Sequence, residues 1–108
     1  MPREISATQL KARLDAKEPV YLIDVRQLWE YETAALPNSV LLPLNELPDR
    51  ASELAPPPGA LVVVYCHLGI RSLSAAALLE QLGVPEVVSL AGGIEAWSLY
   101  VDPTVTRY

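Results

Sequence analysis

Residues 61–72 read LVVVYCHLGIRS. The first five, Leu61–Tyr65, are apolar without alternation and rich in β-branched valine, the pattern of a strand covered on both faces. That strand runs directly into Cys66 and His67, the only cysteine and the only histidine of the chain. Arg71 follows, and from Ser72 an Ala- and Leu-rich run over 72–82 predicts a helix closed by Gly83 and Pro85. This helix is apolar on nearly every side, which predicts that it is well buried.

Working outward, residues 20–23 form a second apolar run, leading into Asp24. Val87–Leu90 reads as a third strand, 40–42 as a fourth, and Ile5 with its neighbours as a short edge strand. Helices are predicted between them over 7–15, 27–33, 45–54 and 92–100. The first opens on Ser6 and Gln9, spaced as a capping box. Pro48 falls in the first turn of the third, where proline is tolerated. Pro56, Pro57, Pro58 and Gly59 make a stiff loop before the 61–65 strand. Strands alternating with helices predict an α/β fold, a small, mostly parallel sheet flanked by helices on both faces. The 108 residues are read as one domain, 1–108.

Half of the residues are hydrophobic, which points to a globular chain. The net charge of −5 argues against a nucleic-acid surface but not against a small anionic substrate. One cysteine allows no internal disulfide, and one Cys with one His makes a structural zinc site a poor fit. The segment MPREISATQL lacks an apolar h-region, and no run approaches membrane-spanning length, so a cytoplasmic protein with no membrane partner is expected.

Chemistry is expected at Cys66. Open α/β sheets bind ligands outside the carboxyl ends of their strands. The helix that follows aims its unpaired N–H groups and its dipole at the same place, which favours an anion, and a thiolate is one. Arg71 adds a fixed positive charge. Gly69 allows successive amides to converge into a cradle. Taken alone, Cys66 reads equally well as a core cysteine in a strand-to-helix turn. Cysteine, glycine and arginine together favour a reactive site.

Three segments carry a family resemblance. CHLGIRS (66–72) resembles the active-site loop of the rhodanese family, C-R-x-G-x-R-S. IDVRQLWEY (23–31) resembles its D-V-R-x-x-x-E-Y segment, and LAGGIEAW (90–97) its G-G-x-x-x-W segment. The resemblance implies a rhodanese-like fold and sulfurtransferase chemistry that requires no metal or organic cofactor. Cys66 would take the outer sulfur of a donor such as thiosulfate as a persulfide and pass it to cyanide or a thiol. Backbone N–H groups of His67, Leu68, Gly69, Ile70, Arg71 and Ser72 would hold the persulfide. Arg71 would organise the loop or hold the donor's anionic oxygens.

The alternatives are a persulfide carrier or partner-binding module with little turnover on small donors, fed or drained by another protein, and a cysteine phosphatase or arsenate reductase. The last is the weakest, because related phosphatases carry C-x5-R and this chain has C-x4-R. A monomer or weak homodimer is expected.

The chain departs from the family pattern at His67, which stands where arginine is frequent. An imidazole, with a reference pKa of about 6.5, carries far less charge at neutral pH than a guanidinium. His67 is read as a residue of the pocket rim rather than a general base. The family's G-H-I-P-G-A turn becomes residues 34–39, AALPNS, with Asn38 able to take the left-handed conformation. Asp24 and Arg26 are read as supporting residues that pair with neighbours, Arg26 with Glu30 for example, rather than as catalytic groups. Trp29 and Trp97 are read as packing residues.

Overall fold

The computed structural model describes residues 3–108. Five strands, β1 (Arg3–Ile5), β2 (Val20–Asp24), β3 (Val40–Leu41), β4 (Leu61–Tyr65) and β5 (Val87–Leu90), form one sheet in the order β1-β5-β4-β2-β3. Every pairing is parallel. Among the described residues there are five helices, α1 (Ala7–Asp15), α2 (Leu28–Thr33), α3 (Leu47–Arg50), α4 (Ile70–Gln81) and α5 (Gly93–Tyr100); the first four connect successive strands and α5 follows β5. This is the small parallel α/β sheet with helices on both faces that the sequence predicts.

β4 lies at the centre, and its lack of alternation follows from that position. Val63 and Tyr65 face a core shared with Ala7 and Leu10 of α1 and Ile94 and Trp97 of α5. Val62 and Val64 face a second core with Ala75, Ala76 and Leu79 of α4 and Leu47 of α3. Each of these valines is buried, and full burial of such a side chain contributes about 1.5–3 kcal/mol. Ser6 and Gln9 close the predicted capping box on α1, with Ser6 Oγ accepting from the Gln9 amide at 3.1 Å and Gln9 Oε1 accepting from the Ser6 amide at 2.9 Å. Asn38 adopts the left-handed conformation, φ 62°.

The helix expected over 45–54 is instead three short pieces, 3₁₀ turns at Leu44–Glu46 and Ala51–Glu53 on either side of α3. Pro48 supplies the reason. It has no N–H to give the Leu44 carbonyl, which accepts from the Leu47 amide instead and tightens the first turn. α4 begins at Ile70, two residues earlier than expected, so Arg71 lies in the helix and not in the loop before it.

Because all strands are parallel, their carboxyl ends share one edge. The segments that leave β2, β4 and β5 meet there, and that edge carries Cys66.

Candidate active site

Cys66 follows the last residue of β4, on the α4 side of the sheet. Its side chain is 1% exposed, yet it lines a depression of about 150 Å³ with His67, Leu68, Ile70 and Arg71. The chain turns sharply below the sulfur. Cys66 Sγ accepts from the Gly69 amide at 3.1 Å and from the Ser72 amide at 3.4 Å. Ser72 Oγ lies 3.4 Å from Sγ and 2.7 Å from Ser89 Oγ, and both serines are fully buried. The sulfur therefore faces donors on its inner side, the surroundings a sulfur anion requires.

The glycines make this turn possible. Gly69 caps α4 at φ 99°, and a Cβ there would lie 2.9 Å from the Gly92 nitrogen. At Gly93, φ 59°, a Cβ would overlap the carbonyl oxygens of Cys66 and His67. Those carbonyls accept from the first free amides of α5, Ile94 N to Cys66 O at 2.9 Å and Glu95 N to His67 O at 3.1 Å. The helix end pulls the loop carbonyls away from the sulfur and leaves the amides facing it.

Arg71 does not point freely into the depression. Its guanidinium makes a two-pronged pair with Glu30, Nη1 to Oε1 at 2.7 Å and Nη2 to Oε2 at 2.8 Å. Glu30, 3% exposed, also accepts from the Gln27 amide at 3.0 Å and the Tyr108 hydroxyl at 2.7 Å. The Arg71 guanidinium above all holds the Glu30 carboxyl down at about 2, against the opposing effect of burial. The expected pairing of Arg26 with Glu30 does not occur. Arg26 instead folds back on Asp24, Nε to Oδ1 at 2.9 Å and Nη2 to Oδ2 at 2.7 Å, with both side chains sealed from solvent. The spacing of two residues across the bend after β2 suits this fork, and α2 turns Glu30 toward Arg71 instead. Arg26 also donates to the Ala34 carbonyl at 2.6 Å and to the Tyr108 hydroxyl at 2.8 Å.

Tyr108 thus joins the two ion pairs. Its ring stacks on His67, with centroids 4.0 Å apart and planes 13° from parallel. Burial first, then its bond to Glu30, push its phenol up to about 12 against the pull of Arg26, so it stays protonated and donates. His67 lines the depression and is stacked on this ring. Leu68 and Ile70 form an exposed apolar rim. Trp97 is core, whereas Trp29 is largely exposed and packs its edge against Tyr108 at 5.7 Å.

The structure brings together Cys66, His67, Leu68, Gly69, Ile70, Arg71 and Ser72, with Asp24 and Arg26 linked to them through Tyr108 and Glu30. Sequence reasoning assigned no part to Ser89 or Tyr108 and gave Glu30 the wrong partner. Ser89 carried a signal, a polar residue in a strand covered on both faces, which must find a partner. Tyr108 carried none.

Comparison with known proteins agrees with this geometry. A sulfurtransferase from Allochromatium vinosum is 39% identical over 105 residues, covering 97% of this chain and 96% of its own length. A rhodanese-related protein from Thermoplasma volcanium superposes with TM-score 0.82 at 29% identity, covering 98% of this chain and 99% of that one. A thiosulfate sulfurtransferase from Pseudomonas aeruginosa gives TM-score 0.85 at 31% identity, covering 98% of this chain but 20% of that one. Several other relatives are longer, and the chain spans half of their length or less. The rhodanese-like domain family matches residues 6–100, and with the cysteine cradle, the glycine pair and the strand order all in place, the chain belongs to that family, among the sulfurtransferases.

Proposed function

We propose that the protein transfers sulfane sulfur through a persulfide on Cys66. In the first step the Cys66 thiolate attacks the outer sulfur of a donor such as thiosulfate. The donor's S–S bond breaks, its electron pair leaves with sulfite, and Cys66 keeps the extra sulfur as a persulfide. In the second step an acceptor, cyanide or a thiol, attacks that terminal sulfur. The persulfide bond breaks, and the Cys66 thiolate is restored while thiocyanate or a new persulfide departs. Covalent catalysis of this kind gives ping-pong kinetics.

The observation that carries this reading is the convergence of the Gly69 and Ser72 amides on Sγ at 3.1 and 3.4 Å. Such donors stabilise negative charge on the thiolate and on the persulfide that replaces it. Arg71 then acts by holding the loop against α2, since both its terminal nitrogens are engaged by Glu30. His67, Leu68 and Ile70 line the way in, and Asp24 with Arg26 fixes the neighbouring turn. The C-x4-R loop and the engaged guanidinium argue against phosphoryl or arsenate chemistry.

The engaged Arg71 and the apolar Leu68–Ile70 rim also favour a second reading, in which the sulfur is supplied by the persulfide of a partner or taken by its thiol, including those of a protein, in place of small anions. Intact mass measured before and after thiosulfate, with and without reductant, tests the shared step. The wild type gains one reducible sulfur atom and Cys66→Ser gains none. Sulfur uptake by Cys66→Ser overturns the mechanism. Rapid thiosulfate–cyanide turnover excludes the carrier reading, whereas loading only from organic or protein persulfides supports it.

A further inference from the structure

The segment 101–108 lies outside the region that the family matches. It is nevertheless well anchored. The Val101 and Asp102 amides both donate to the Trp97 carbonyl at 2.9 Å, and buried Ser98 donates its hydroxyl to the Val105 carbonyl at 2.8 Å. The segment reaches the candidate site. There the Tyr108 hydroxyl accepts from Arg26 and donates to Glu30, while its ring lies flat against His67. Two bonds to buried charged groups fix the ring on one edge, and Trp29 packs against it from the side. His67 lines the small depression over Cys66, whereas Tyr108 stacks on His67 without lining the depression itself.

We infer that Tyr108 is a positioning residue that acts through His67 to set the width of the mouth above Cys66, admitting small reactants in preference to bulky ones. This rests on the Cys66 depression being the reactive site proposed above. A free imidazole rotates about its side-chain bonds and can swing out of the way, whereas one stacked on an anchored ring does so less often. Size selection is then a property of two residues from distant parts of the chain.

Cys66 is the only cysteine, so its modification reports on the mouth directly and does not depend on sulfur transfer. The experiment compares the rates at which N-ethylmaleimide and a fluorescein-bearing maleimide label Cys66. Tyr108→Leu and His67→Ala should each raise the bulky-to-small rate ratio by about three- to tenfold, the worth of an aromatic pair. Tyr108→Phe, which keeps the ring but loses its anchors, should fall between the wild type and Tyr108→Leu. The double variant should match the single ones, because both remove the same wall. General loosening of the fold would raise both rates together and leave the ratio unchanged, which would overturn the inference. So would a His67→Ala ratio equal to that of the wild type, a measurement that stands even if Tyr108→Leu fails to fold. Sulfur loading is followed in parallel. A protein that labels selectively but never takes up sulfur would overturn the transfer reading alone.

Discussion

Arg71 and Glu30, 41 residues apart in sequence, meet through two hydrogen bonds of 2.7 and 2.8 Å that tie the first turn of α4 to α2. Planar, two-pronged recognition of this kind is available to arginine and not to lysine. Arg71→Lys should therefore keep the charge and lose the geometry. With the loop less firmly held, sulfur loading of Cys66 should slow by about tenfold, equivalent to one charge-assisted hydrogen bond. Single-turnover loading followed by mass spectrometry checks this. A loading rate equal to the wild type would mean that the fork is not needed to hold the cradle.

The same pair makes stability depend on pH. In the fold the Glu30 carboxyl is held at about 2, against an ordinary value of 4.5. The unfolded chain therefore takes up this proton at higher pH than the folded one, and stability falls as the solution is acidified. The contribution is fully present above about pH 5 and is lost as the pH drops from about 4.5 toward 2. Arg71 is a third exposed and partly screened, so the loss should amount to about 2 kcal/mol. Urea unfolding at several pH values should show this slope in the wild type and a shallower one in Glu30→Gln, which starts less stable at neutral pH. Parallel slopes would assign the acid sensitivity to other carboxylates.

Gly93 is a test of how α5 shapes the cradle. Its φ of 59° is unfavourable for any side chain, and a Cβ would overlap the carbonyls of Cys66 and His67. Neither can move aside without breaking its bond to the Ile94 or Glu95 amide. Gly93→Ala should cost about 3 kcal/mol or more, lowering the Tm by roughly 12 °C or more in a domain of this size. It should also abolish sulfur loading, because the displaced carbonyls would turn toward Sγ. Thermal unfolding and the loading assay check the two parts separately. Wild-type stability in this variant would show that the loop tolerates the overlap.

These features differ in how plainly the sequence announces them. The LVVVY run, the Ala- and Leu-rich stretch after Ser72 and the Ser6–Gln9 box declare their elements because local periodicity and capping determine them. Cys66, Gly69 and Arg71 declare a candidate site because they fall where a strand end and a helix start lie next to each other in sequence. Pairing across the fold is another matter. Arg71 pairs with Glu30 directly, whereas Arg26 reaches it only through the shared Tyr108 hydroxyl and turns its fork on Asp24, and sequence spacing does not distinguish the two arrangements. Tyr108 reaches its partners from 78 and 82 residues away, a placement that depends on the path of the chain after α5. The broken 45–54 helix lies between these cases, since the missing Pro48 N–H is visible in the sequence but its effect on Leu44 depends on the turn actually formed.

Ser72 and Ser89 give the last prediction. Their hydroxyls lie 2.7 Å apart in a region sealed from solvent, and Ser72 Oγ lies 3.4 Å from Cys66 Sγ. When the sulfur is a thiol it can donate to Ser72 Oγ, as the observed geometry allows. When it is an anion, Ser72 can turn its own O–H toward the sulfur, and the Ser89 hydroxyl can then donate a hydrogen bond to the Ser72 oxygen. Ser89→Ala removes that second donor without touching the cradle amides. It should slow loading by a few-fold and cost about 1 kcal/mol of stability, the loss of one buried neutral hydrogen bond. Ser72→Ala removes the group nearest the sulfur and should slow loading by about tenfold. In the double variant the two effects should not multiply, since Ser89 acts only through Ser72. Multiplied effects would show instead that Ser89 reaches the reacting sulfur by a route that does not pass through Ser72.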